Sequence, residues 1–204
     1  MGLKRVFYLM TLWVMCSSAS HAVIISFNNC ISSCGSIGSS AGSTVATAAT
    51  LKYTNRSGGV NFTLTNLSSN LGTFARNSTF LSQLFLNVGT ATSRSFNPSQ
   101  FRGIRINRSF TNAGLSFDTR VNLPTSNGGG NRLLNGQSVN FFIGGITTNS
   151  VIAPAAIHLQ SLRGGRSVKI GGSVAVPEPS VLLLLAIGLL GVRGFQFNRV
   201  QNQS

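Results

Sequence analysis

The chain has 204 residues, room for one domain with a core of its own. Charged residues make up 9 % of it, and the formal net charge is +14. Its only carboxylates are Asp118 and Glu178 and its only imidazoles His21 and His158. It therefore offers little of the proton-moving machinery of hydrolases and transferases, and few oxygen ligands for calcium or magnesium. No cofactor and no metal site is expected.

At the N-terminus Lys4 and Arg5 precede a short apolar run, residues 6–15. Ser20-His21-Ala22 then places small residues at the two positions that a signal peptidase reads. The expectation is a secretion signal over residues 1–22, helical in its apolar part, cut between Ala22 and Val23. Cys16 offers a lipoprotein alternative, but Val14 and Met15 are large for a lipobox. An uncleaved anchor is a further alternative, although the run is short for a span.

Residues 23–43 read as a Ser/Gly/Cys-containing flexible segment, richest in Ser, Gly and Asn over 28–43. Cys30 and Cys34 are the cysteines left after the expected cut. In an oxidising compartment they are a candidate disulfide, with free thiols as the alternative and a metal site short of ligands. Pairing requires residues 31–33 to curl until the Cα atoms lie within about 7 Å.

Residues 44–175 carry short β-branched and aromatic stretches separated by Gly, Asn and Ser clusters. The predicted strands are 45–53, 60–67, 83–88, 103–107, 115–121, 138–143, 156–162 and 167–176. Their spacing points to an all-β body, an antiparallel, jelly-roll-like β-sandwich. In 60–67, Val60, Phe62, Leu64 and Asn66 share one face and Asn61, Thr63 and Thr65 lie on the other. In 115–121, Asp118 and Arg120 are two apart on the polar face and are expected to pair.

In the segment before this body Gly38-Ser39-Ser40-Ala41-Gly42 matches the G-x-S-x-G elbow, with Asp118 and His158 following in hydrolase order. The context is wrong, because the elbow needs a strand-to-helix turn and this one sits in a Ser/Gly tract. Gly128-Gly129-Gly130 and Arg163-Gly164-Gly165-Arg166 lack a P-loop lysine and read as turns. Arginines stand singly except for Arg102, Arg105 and Arg108, interleaved with Phe101 and Phe110. Arginines beside rings suit sugars or anionic polymers, so these three are the candidate anion- or glycan-binding residues. A plain edge strand is the other reading. In regular alternation Arg102 and Arg108 would share a face and Arg105 would oppose them. No run of basic residues resembles a DNA-binding arm, and nucleic acid is not an expected partner.

The C-terminus, 176–204, begins with Val176-Pro177-Glu178-Pro179. Prolines flanking an acid make a stiff joint that continues neither helix nor sheet. The run 181–192 comes next, with nine Leu, Ile or Val residues including Val181, Leu185 and Leu190 and no charge, then Arg193 and Arg199. A transmembrane helix over 180–197 is expected, with the basic end in the cytoplasm and the body outside. Arg193 falls inside that span and must snorkel. A plain tail anchor is the alternative.

Val-Pro-Glu-Pro, a Leu-rich run and a basic end together resemble the PEP-CTERM sorting signal. The resemblance implies recognition and cutting near the motif by exosortase, a membrane-embedded cysteine protease-transpeptidase, after export by the secretion machinery. It also implies a link to exopolysaccharide and the extracellular matrix. The stretches 60–68 and 155–172 resemble, more loosely, the bodies of small exported PEP-CTERM proteins. The resemblance thus implies a non-enzymatic exported protein, first anchored in the inner membrane, then at the cell surface or outside. A module binding carbohydrate or anionic exopolysaccharide is the alternative.

Overall fold

Ser57 and Gly58 reverse the chain between Arg56 and Gly59, which face each other in register, and Gly58 takes the left-handed φ of 79° that so tight a turn needs. The hairpin they close is the template for the domain, seen in a computed structural model that describes residues 22–126 and 132–175. In chain order the strands are β1 (Val23–Ser32), β2 (Thr44–Arg56), β3 (Gly59–Asn66), β4 (Phe80–Asn87), β5 (Ser93–Phe96) and β6 (Gly103–Arg105). They continue with β7 (Phe110–Asn112), β8 (Leu115–Phe117), β9 (Thr119–Asn122), β10 (Leu133–Leu134), β11 (Ser138–Gly144), β12 (Ile152–Gln160) and β13 (Val168–Ala175).

Eleven strands form one antiparallel sheet in the order β5-β11-β3-β2-β1-β13-β12-β4-β9-β6, with β10 also on β4. The all-β, antiparallel expectation agrees with this. Two facing sheets do not appear among the described residues, because a continuous hydrogen-bonded path curls into a nearly closed barrel. Alternation explains the curl. On β3, Val60, Phe62 and Leu64 are fully buried inside, while Thr63 and Thr65 lie outside and bond Asn140 and Ser138 across the strand pair, each at 2.7 Å.

Aromatic rings join the two open edges. Tyr53 stacks on Phe62 at 5.7 Å and Phe62 on Phe141 at 4.8 Å. Phe101 meets Phe141 at 5.8 Å and Phe96 at 5.7 Å. Phe96 ends edge strand β5 and Phe101 precedes edge strand β6, so one run of rings spans the seam. Edge-to-face pairs of this kind contribute about 0.5–1.5 kcal/mol beyond their burial.

The segment 28–43 is a correction: it is not a flexible loop. β1 runs through Ser32 between β2 and β13, and Cys34–Ile37 form a 3-10 turn. Ile25, Phe27 and Cys30 have no exposed surface. A bulge between Phe27 and Asn29 keeps Cys30 inward despite the polar composition around it. The strand-bearing body thus starts at Val23 and not at residue 44. Residues 115–121 also differ from a single strand. Asp118 breaks them into β8, which pairs only with β7, and β9 in the main sheet. The β7–β8 ribbon packs Phe117 on Phe85 and Ala156, outside the barrel.

Except for Ala22, the expected secretion signal lies outside the described residues. So do Val176, Pro177, Glu178, Pro179, Val181, Leu185, Leu190, Arg193 and Arg199. Among the described residues no helix is long and apolar enough to cross a membrane.

Candidate functional site

Register places one polar row across the outer face of five neighbouring strands. Gly103 on β6 faces Asn122 on β9, Asn122 faces Gln83 on β4, Gln83 faces His158 on β12, and His158 faces Lys169 on β13. In the next row Arg105 faces Arg120, and Arg120 faces Phe85. Asn122, Gln83 and His158 of the first row and Arg105 and Arg120 of the second line a groove of about 530 Å³, together with Arg102 and Gln160.

Arg102 and Arg105 are exposed. Regular alternation would set them on opposite faces, yet both line the groove. Gly103 between them has a φ of 144°, which breaks the alternation. The amide of Arg102 donates to Asn122 O at 2.8 Å, and its Nη2 donates to Ser126 Oγ at 2.8 Å. Arg108 is exposed in the turn before β7, where its amide donates to Asp118 O at 3.1 Å, and it does not line the groove.

Arg120 is the groove residue that sequence reasoning missed. Its guanidinium lies 4.7 Å from the centre of the Phe110 ring, and its Nε is buried without a hydrogen-bond partner. The expected pair with Asp118 does not form. The Asp118 carboxylate accepts instead from the amides of Val88, at 3.0 Å, and Gly89, at 2.8 Å. Asp118 is the only acidic side chain among the described residues. Thr125 and Gln160 also line an adjoining groove of about 430 Å³ that carries Arg132 and Arg166. The two form one basic trench.

At its other end, burial holds the His158 imidazole below its ordinary pKa of 6.5, and the nearby Lys169 charge lowers it further. Gln83 Nε2 donates to Asn122 Oδ1 at 3.4 Å, so the middle of the row is an amide ladder. Amides supply both donors and acceptors to a ligand with hydroxyls.

No hydrogen bond joins Ser40, Asp118 and His158, all of them described residues. Ser40 sits in an exposed turn, where its carbonyl accepts from Ser43. Among the described residues no group of three or more His, Cys, Asp or Glu side chains is placed to hold a metal. Cys30 and Cys34 are joined in a disulfide, with Cα atoms 5.9 Å apart.

The barrel's last strand, β13, ends at Ala175, opposite Ile24 on β1. A family model described as the PEP-CTERM protein-sorting motif matches residues 175–199. The chain carries a PEP-CTERM sorting motif. No curated protein and no solved structure matches the chain significantly. The PEP-CTERM motif marks an exported protein processed by exosortase at the membrane. It begins at Ala175, the last described residue of β13.

Proposed function

We propose that this is a non-catalytic protein of the cell surface or extracellular matrix, held first in the inner membrane by a helix over 180–197 and then released or transferred by exosortase. The observation that carries this reading is the PEP-CTERM match at 175–199, abutting a folded, polar-surfaced barrel. Its scarcity of carboxylates and imidazoles supports a role without chemistry of its own. Deleting exosortase from the producing cell tests it. Full-length protein should then accumulate in the inner membrane, while the normal cell yields a species ending near Pro177-Glu178-Pro179 by mass spectrometry. Full-length protein free in the cytosol of the normal cell would overturn the reading.

A second reading concerns what the barrel does after delivery: a module that binds an anionic polymer, such as an acidic exopolysaccharide. The meeting of Arg102, Arg105 and Arg120 in one groove favours it. Retention of the protein on immobilised polyanion at low salt, lost as salt rises, tests it.

A further inference from the structure

Resting on that second reading, we infer that the trench takes a carboxylate-bearing sugar polymer laid across the strands, with Arg105 and Arg120 gripping one carboxylate and the Asn122-Gln83-His158-Lys169 row meeting the sugars beyond it.

The first reason is electrostatic. Arg105 and Arg120 are directly opposite in register, an arrangement that disfavours folding when the charges are alike. Among the described residues no side-chain carboxylate is at hand, since Asp118 is turned to the amides of Val88 and Gly89. Arg120 additionally leaves its buried Nε without a partner. A ligand carboxylate placed between the two guanidinium groups answers the like-charge pairing and supplies the missing counter-charge, because the planar fork matches a planar carboxylate in bidentate fashion.

The second reason is the spacing and chemistry of the row. From β6 to β13 it crosses four strand intervals of about 4.8 Å each, roughly 19 Å, a span that holds several sugar units. Between the arginines beside its β6 end and Lys169 at its β13 end stand the amides of Asn122 and Gln83, which suit hydroxyls as donors and acceptors alike. Stacking surfaces are already covered. Arg120 lies on Phe110 and Arg132 lies 4.4 Å from the centre of the Phe80 ring. Bases or neutral sugars that need an open ring face find none among these lining residues.

The test uses the full chain in a neutral detergent, with polygalacturonate, neutral dextran and double-stranded DNA as probes. Polygalacturonate should bind at low salt and dextran should not. Because Arg102 and Arg105 are exposed, R102Q/R105Q keeps the fold, and it should weaken polygalacturonate binding about tenfold or more. R76Q/R94Q removes the same charge from exposed sites outside the groove and should change binding less than about threefold. R120K keeps the charge without the fork and should lose part of the affinity for polygalacturonate while retaining the cooperative unfolding of the wild type. Equal losses from R102Q/R105Q and R76Q/R94Q would overturn the trench and leave the binding-module reading standing. No retention of wild type on any polyanion would remove that reading as well. Dextran binding, or a larger effect of R102Q/R105Q on DNA than on polygalacturonate, would overturn the ligand class.

Discussion

Ile24 and Ala175 are cross-strand partners on β1 and β13. The expected signal-peptidase site, Ala22–Val23, and the first residue of the sorting motif, Ala175, are therefore brought together by neighbouring strands. Pro177 is two residues beyond Ala175 of β13, so an enzyme cutting there must approach the folded barrel to within about 7 Å. A Gly/Ser spacer of about ten residues inserted after Ala175 would move the joint clear of the barrel. Conversion of precursor to processed form, followed by pulse-chase, should then speed up while the melting temperature stays the same. Slower or unchanged conversion would show that the barrel does not hinder the processing enzyme.

Phe62 is fully buried between Tyr53 and Phe141. Phe62→Ala leaves a cavity in the run of rings that ends at the seam, and should lower stability by about 3–5 kcal/mol in urea unfolding. Phe101→Ala acts on the seam itself. Its amide-exchange signature should appear first in β5 and β6, the two open edges, since no strand ladder joins them and, besides the rings, they are tied by the Asn107 side chain bonding the Ala91 backbone beside them. Protection lost uniformly across all strands would mean that the rings do not hold the edges together.

Asp118 fixes the break between β8 and β9 through three amides: it accepts from Val88 and Gly89, and its own amide donates to Asn87 Oδ1 at 3.0 Å. Asp118→Ala strands the part-buried Val88 donor, while the exposed Gly89 amide turns to water, and should cost about 1–3 kcal/mol. It should also loosen Arg120, two residues on, and weaken polyanion binding even though a negative charge has been removed. Simple charge arithmetic predicts the opposite change, so a binding titration of this variant separates positioning from net charge.

The strands whose apolar residues alternate were legible: 60–67 reads directly as a face of Val60, Phe62 and Leu64, all buried in the barrel. β1 was not, because its inward residues are interrupted by a bulge and surrounded by Asn and Ser, so its place depends on pairing with β2 and β13. The same limit governs the site. Arg102 and Arg105 stood out as neighbours, but their shared face depends on the φ of Gly103, which strand periodicity does not reveal. Arg120 was visible only as a surface partner for Asp118. Its place beside Arg105, like that of Lys169 beside His158, is fixed by register between paired strands, which the periodicity of a single strand does not reveal.

His158 gives the trench a pH signature. Burial first, and Lys169 second, lower its pKa from 6.5 in the folded chain. The unfolded chain therefore binds the proton more readily, and its contribution to stability is whole above about 6.5 and is lost as pH falls through that value toward the lower folded one. His158→Gln should flatten the melting temperature against pH between about 7 and 5. A bound polyanion opposes the same shift, because a carboxylate near the ring favours the imidazolium. Saturating polygalacturonate should raise the NMR-detected pKa of His158, and by linkage its affinity should rise as pH falls through that titration. A His158 titration that ignores the polymer would place the bound chain elsewhere on the barrel.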